Sequence, residues 1–176
     1  MIRSLMTVAA LAAVTGLAAC ATPSNPALMT VPATPGLTVS TGDTGYKSVA
    51  TVNVSGGSTT NPLWTAQVSN ADFKTALEAS LDAAGYLGSS GPPITVDAAL
   101  VELKRPLMGL DMSVTSEVRY IVTRDGHALF NEIVAATGTA TLSEAFSGVE
   151  RLKKANEKSI KENISEFLRR FRERAH

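Results

Sequence analysis

The side chains that could do chemistry are few in this chain of 176 residues, and they lie far apart. An enzyme needs a nucleophile or base beside an orienting partner, and a metal site needs several ligands at close spacing. One histidine, His127, follows an Asp-Gly turn signal, and the other, His176, is the last residue. The sequence contains no G-x-S-x-G elbow, no H-x-x-x-H pair and no phosphate-binding P-loop. The acids Asp111, Glu117 and Glu132 fall on different predicted elements, so we expect no catalytic residue and no metal site.

The only cysteine, Cys20, ends the string Leu-Ala-Ala-Cys after an uncharged apolar run. With Arg3 ahead of it, this run has the charge pattern of a secretory signal peptide and is too short for a good spanning helix. Its end resembles the bacterial lipobox. The resemblance implies a signal peptide over residues 1–19, cleavage between Ala19 and Cys20, and a diacylglycerol thioether with an added acyl chain such as palmitate on Cys20. That covalent lipid is the only cofactor we expect. The alternative is an ordinary signal peptide that happens to contain a cysteine.

The predicted anchor places the protein in the cell envelope. Two or more acyl chains hold a protein stably on a membrane. In the lipobox pattern an aspartate after the cysteine favours the inner membrane, and this chain has Ala21 there. We therefore expect the periplasmic leaflet of the outer membrane, with the inner membrane as the less favoured site. The formal net charge of zero argues against a nucleic-acid partner.

Composition changes sharply after the cysteine. Residues 21–42 carry no charge and contain four prolines, a composition that buries little apolar surface. We predict a flexible tether over residues 20–46 and a single globular domain over residues 47–176. The alternative is that residues 37–39 lie along the domain as an edge strand.

Hydrophobic periodicity predicts an α+β domain of order β-α-β-β-β-α. Alternating residues predict strands over 48–54, 94–103, 112–123 and 128–141, with Asp125-Gly126 as a hairpin turn. A capping signal at Ser69 and a stop at Gly85 bound the first helix, and the second runs over 145–172. We expect a small antiparallel meander with both helices packed on one face. Asn156 and Asn163 lie on the apolar stripe of the last helix, which favours buried structural roles.

Two surfaces are candidates for contacts with a partner. The connection over 106–112 is unusually apolar, and we predict that it contacts a partner protein or lipid unless it folds over the core; its candidate residues are Leu107, Met108, Leu110 and Met112. The end of the last helix is basic, which is typical of complementation of the helix dipole. The alternative is contact with anionic lipid headgroups or an acidic partner; its candidate residues are Arg169, Arg170, Arg172 and Arg174.

The element order resembles small envelope lipoproteins of Gram-negative bacteria, including auxiliary lipoproteins of ABC-type transport systems. A closer likeness to uncharacterised alphaproteobacterial lipoproteins rests on Tyr120-Ile-Val-Thr-Arg, on residues 145–152, on Ala155-Asn-Glu and on Asn163-Ile. The resemblance implies a non-catalytic accessory or adaptor for a transport or assembly system, with an envelope protein of unknown identity as partner. The alternative is a lipid- or glycolipid-binding module with an apolar groove between sheet and helices.

Overall fold

The computed structural model describes residues 22–59, 67–105 and 110–175. In chain order its elements are α1 (Pro26–Met29), β1 (Val49–Ser55), α2 (Asn70–Ala83), β2 (Ile94–Lys104), β3 (Met112–Arg124), β4 (His127–Ala140) and α3 (Gly148–Ala175). The α+β class and the order β-α-β-β-β-α are confirmed, with the four-residue α1 in front. Among the described residues no helix is both long and apolar enough to cross a bilayer.

The four strands form one open sheet in the order β1-β2-β3-β4. β2, β3 and β4 pair antiparallel as predicted, but β1 pairs parallel with β2, from Val49↔Ile94 to Ser55↔Ala99. The prediction of an all-antiparallel meander is therefore wrong for β1. The physical reason is that α2 returns the chain to the starting end of β1, and such a crossover connects parallel strands.

Local signals set the ends of α2. The Ser69 hydroxyl accepts a hydrogen bond from the Asp72 amide at 3.0 Å, which satisfies one of the free N–H groups at the start of the helix. Gly85 follows the helix with φ +86°, a left-handed conformation that favours glycine. Between these ends, one face of α2 is fully buried in the core through Phe73, Leu77 and Leu81.

Turn chemistry and one bulge set the register of β2, β3 and β4. Asp125 and Gly126 both have positive φ, 51° and 78°, as a tight hairpin turn requires. In β2 the register shifts between Leu100 and Glu102. Residue numbering alone puts Asp97 and Glu102 on opposite faces, but the bulge brings both to the open face of the sheet, away from the helices.

α3 packs its apolar stripe on the face of the sheet opposite the open face. Tyr120 of β3 stacks on Phe167 of α3 with ring centroids 4.0 Å apart, and Phe130 of β4 meets the same ring edge-on at 5.6 Å. Gly138 of β4 lies directly beneath α3, because a Cβ there would come within 2.2 Å of the Ser159 amide nitrogen. These aromatic rings fill the space between the sheet and the second half of α3, and the missing side chain at Gly138 lets the first half approach closely.

The described part of the predicted tether packs on the domain. Met29 is fully buried, and Val31, Leu37 and Val39 are also core residues. The Val31 amide donates to the Ser80 hydroxyl at 2.9 Å, and the Val39 amide donates to the Ala84 carbonyl at 2.8 Å. A flexible tether over 20–46 is therefore wrong from Ser24 onward, because its four apolar side chains fill space beside α2 and α3. Residues 37–39 lie along the domain but form no strand.

Candidate interaction surface

The scattered acids have structural partners. The Asp111 carboxylate accepts from the Leu142 amide at 3.3 Å, Glu117 pairs with Lys104, and Glu132 pairs with arginines of α3. His127 is exposed beside the hairpin turn. Within residues 22–59, 67–105 and 110–175, no three His, Cys, Asp or Glu side chains group as metal ligands. Cys20 and His176 lie outside the described residues.

Asn163 is the centre of a buried polar network between α3 and the sheet. Its amide nitrogen donates to the Val134 carbonyl at 2.8 Å and to the Ser116 carbonyl at 3.1 Å. Its amide oxygen accepts from the Tyr120 hydroxyl at 3.0 Å, and burial raises the pKa of Tyr120, so the phenol keeps its proton. These bonds use the side chain of Asn163 to hold α3 on the sheet, which supports the structural role expected for it. Asn156 on the same stripe is also fully buried.

The basic end of α3 forms ion pairs within the chain. Arg169 pairs with Glu166 at 2.7 Å and with Glu173 at 2.5 Å, and Arg170 pairs with Glu166 at 2.6 Å. The hydrogen bond from Arg169 is the main cause that lowers the pKa of Glu166 to about 2. Arg174 pairs with Glu132. Contact between this cluster and an anionic partner stays a prediction, but these carboxylates already offset much of its charge.

Arg172, the fourth arginine of the cluster, lies near Tyr86. Burial raises the pKa of Tyr86 to about 12, and the positive charge of Arg172 opposes that rise. Tyr86 is fully buried and packs against Phe171, with ring centroids 5.4 Å apart. Arg172 therefore sits at the border of the core and is not a simple surface charge.

The most unusual exposed residues lie where β3 begins and β4 ends. We call this surface the apolar end and define it by Leu110, Met112, Leu142 and Phe146. Phe146 is 93% exposed and Leu110 is 74% exposed. Met112 is half-buried and packs on a small core cluster of Val114, Ala140 and Ala155. Leu107 and Met108, predicted for the same surface, lie outside the described residues.

Hydrogen bonds hold the turn that presents Phe146. The Arg151 guanidinium donates to the carbonyls of Ala145 and Phe146, both at 2.8 Å. Glu144 accepts from the Thr141 amide at 3.0 Å and from the Lys158 ammonium at 2.6 Å. The bond from Lys158 is the main cause that lowers the pKa of Glu144 to about 2. An aromatic ring is thus exposed on a braced turn, so a ligand would meet a preorganised surface.

Sequence reasoning identified Leu110 and Met112 but missed Leu142 and Phe146. The sequence pattern predicts that the last helix begins at residue 145, which places Phe146 inside it, whereas α3 begins at Gly148 and Phe146 lies in the turn before it. Even with the correct start, the pattern would not predict exposure, because apolar residues just before a helix commonly pack back onto it.

A groove runs along β4, one of the two edge strands of the sheet. It measures roughly 670 Å³ and lies between residues 135–139 and the side chains of Lys158, Lys161, Glu162 and Glu166. Lys158 also donates to the Thr139 carbonyl at 2.8 Å. Charged side chains beside an edge strand discourage pairing with another strand, so we assign this groove a protective role.

No protein-family model matches the sequence, and no curated protein matches it significantly. Among solved structures, protein XCC0632 from Xanthomonas campestris, described with family model DUF330, is similar with a TM-score of 0.56 and 8% identity over 78% of this chain and 90% of that chain. A minor lipoprotein from Acinetobacter baumannii has a TM-score of 0.47 and 14% identity, covering 73% of this chain and 92% of its own. PelC from Paraburkholderia phytofirmans, solved as a dodecamer, has a TM-score of 0.49 and 13% identity, covering 77% and 95%. The likeness to XCC0632 shows that this chain shares its fold.

Proposed function

We propose that this protein is a lipid-anchored, periplasm-facing accessory protein of the Gram-negative envelope, without catalytic activity of its own. The observation that carries the proposal is the lipobox-like string ending at Cys20, only two residues before Thr22, which is the first described residue and contacts α3. A double or triple acyl anchor at this position would hold the domain stably on a membrane. We propose the outer membrane as its location and an envelope transport or assembly system as its partner.

The interior of the domain supports an adaptor over a lipid-handling module. A module that encloses acyl chains needs apolar space between the sheet and its helices. In this protein that space is occupied by Tyr120, Phe130, Phe167 and Phe171, whose neighbouring rings lie 4.0 to 6.2 Å apart. The two most exposed large apolar side chains among the described residues, Phe146 and Leu110, lie at one end of the sheet, where they favour contact with another surface.

Metabolic labelling tests the anchor. Cells that express the full chain should incorporate radiolabelled palmitate into the protein, and Cys20→Ala should abolish both the label and carbonate-resistant sedimentation with envelopes. Ala21→Asp is the matched variant for location, because in the lipobox pattern it should move the protein to the inner membrane without loss of label. An unlabelled protein, or a Cys20→Ala variant that still sediments after the wash, would refute the proposal.

Crosslinking tests the accessory role. An envelope protein should crosslink reproducibly to the lipidated wild type in intact cells and be lost with Cys20→Ala, because a released domain is diluted away from its partner. Equal capture by both forms would show that the anchor plays no part in the partnership.

A further inference from the structure

The first described residues lie against α3 near the apolar end. The Lys153 ammonium donates to the Thr22 hydroxyl at 2.7 Å, and the Asn25 amide donates to the Glu157 carboxylate at 2.8 Å. α3 has 28 residues and is therefore about 42 Å long, and Lys153 is only about 7.5 Å from its first residue. Thr22 thus lies beside the first quarter of α3. The turn that contains Phe146 leads directly into this quarter of the helix.

Followed back toward Cys20, the described part of the chain runs toward the start of α3. From Thr22 to Asn25 the chain moves from Lys153 to Glu157, which is away from the start of α3. Of these two contacts, the one made by Thr22 is therefore the nearer to the start of α3. Covalent geometry limits the Cα of Cys20 to about 7 Å from that of Thr22. The acyl chains on Cys20 would therefore begin near the first quarter of α3, at the end of the molecule that carries the apolar end.

α1 extends this surface. Leu28 is 55% exposed and lines a shallow depression together with Glu144, which braces the turn that carries Phe146. The charges around it are mixed, because Lys153 and Lys154 stand beside Glu150 and Glu157 on the same stretch of α3. Attraction to anionic lipid is therefore weak, and the favourable part of a contact is apolar.

We infer that the apolar end is a membrane-facing surface: Phe146, Leu110 and Leu142 dip into the interface of the bilayer that holds the acyl chains of Cys20. This inference rests on the proposed lipidation. The domain then stands directly on the membrane, with the Asp125-Gly126 hairpin at its far end and no tether between. A protein partner in the periplasm meets the remaining surface, and the apolar end is covered by lipid.

Single-cysteine labelling tests the orientation, because lipid occupies the only native thiol. Full-length lipidated Phe146→Cys protein carries an environment-sensitive fluorophore and is reconstituted in vesicles of phosphatidylethanolamine and phosphatidylglycerol. Ala128→Cys is the control, since Ala128 is exposed near the hairpin, about 40 Å along β4 from Ala140 at the apolar end of the strand. Leu110→Cys is a second probe at the apolar end. All three sites are exposed, so the substitutions leave the core intact.

The probes at residues 146 and 110 should shift to shorter emission wavelengths, resist aqueous iodide and be quenched by spin-labelled lipid, at low and high salt alike. The probe at residue 128 should stay accessible to iodide. The inference is wrong if the protein floats with the vesicles but all three probes show the same emission and iodide accessibility, or if the probe at residue 146 stays accessible to iodide. Flotation would still support the proposed anchor. Shielding of residue 146 in native envelopes but not in vesicles would assign the surface to a protein partner and also overturn the inference. If the chains do not float at all, the inference falls together with the proposed anchor.

Discussion

Gly138→Ala tests the close approach of α3 to the sheet. The new Cβ would lie 2.2 Å from the Ser159 amide nitrogen, 2.5 Å from the Ala155 carbonyl oxygen and 2.7 Å from the Lys158 carbonyl carbon. All three are backbone atoms of α3, so no side chain can rotate away. Ordinary contact begins at 3.4 Å, so in a close-packed interior α3 must move outward by roughly 1 Å.

The cost follows from the buried face that this movement loosens. Five large apolar side chains of α3 are almost completely buried: Ile160, Ile164, Phe167, Leu168 and Phe171. Burial of each stabilises the fold by about 2 kcal/mol, and a gap of this size forfeits about a quarter of the contact energy. The loss is about 2.5 kcal/mol, from which a gain of about 0.5 kcal/mol for replacing glycine in the unfolded chain is subtracted. We expect a net destabilisation of about 2 kcal/mol, or about 6 °C in Tm for a chain of this size.

Thermal and urea unfolding, followed by circular dichroism on a soluble form that starts at Ala21, measure this loss. Gly148→Ala is the matched control, because its Cβ would meet only Met112 at 3.8 Å and Arg151 at 3.9 Å. That variant should be as stable as the wild type or slightly more so. Equal Tm values for Gly138→Ala and Gly148→Ala would refute the argument that backbone contact sets the distance between α3 and the sheet.

Three further predictions concern the same soluble form. Asn163→Ala should lower the free energy of unfolding by about 2–4 kcal/mol in urea titrations, because it leaves buried carbonyls and a phenol without partners; a cost near zero would contradict the proposed network. Burial raises the pKa of Glu157, so its carboxyl binds protons more tightly when folded, and this group's contribution to stability falls as pH rises above 4.5. When the pH is raised from 4 to 7, the urea midpoint of Glu157→Gln should therefore fall less than that of the wild type. An equal fall in both proteins would contradict the raised pKa of Glu157. The pair Phe146→Ser with Leu110→Ser should change Tm by no more than about 1 °C, because both side chains are exposed; a large loss would mean that they pack on the core.

Local patterns were sufficient for most of the elements. The cap at Ser69, the stop at Gly85 and the turn at Asp125 act through hydrogen bonds and φ angles of neighbouring residues, so they are readable without the fold. The apolar stripe of α3 is equally local, because helical periodicity alone brings its members to one face. Asn163 could be predicted as buried, although its partners Val134 and Ser116 could not be named.

Features that join distant segments could not be read in this way. The parallel pairing of β1 with β2 depends on where α2 returns the chain, and the bulge after Leu100 reverses the face of Glu102 without a mark in the pattern. The segment from Ser24 to Val39 resembles a disordered tether, because prolines interrupt its apolar residues and no helical or strand periodicity links them. It orders only because α2 and α3 offer complementary space for Met29 and its neighbours.

The predicted anchor depends on contiguous residues, since a signal peptide and a lipobox are linear features that precede folding. The surface beside that anchor has no such linear form. Phe146, Leu110 and Thr22 are far apart in sequence. They lie toward one end of the molecule because β3, β4 and α3 all begin or end there. A motif of consecutive residues can be recognised before the chain folds. A surface formed by distant segments can be recognised only once their packing is known, because those segments share no local signal.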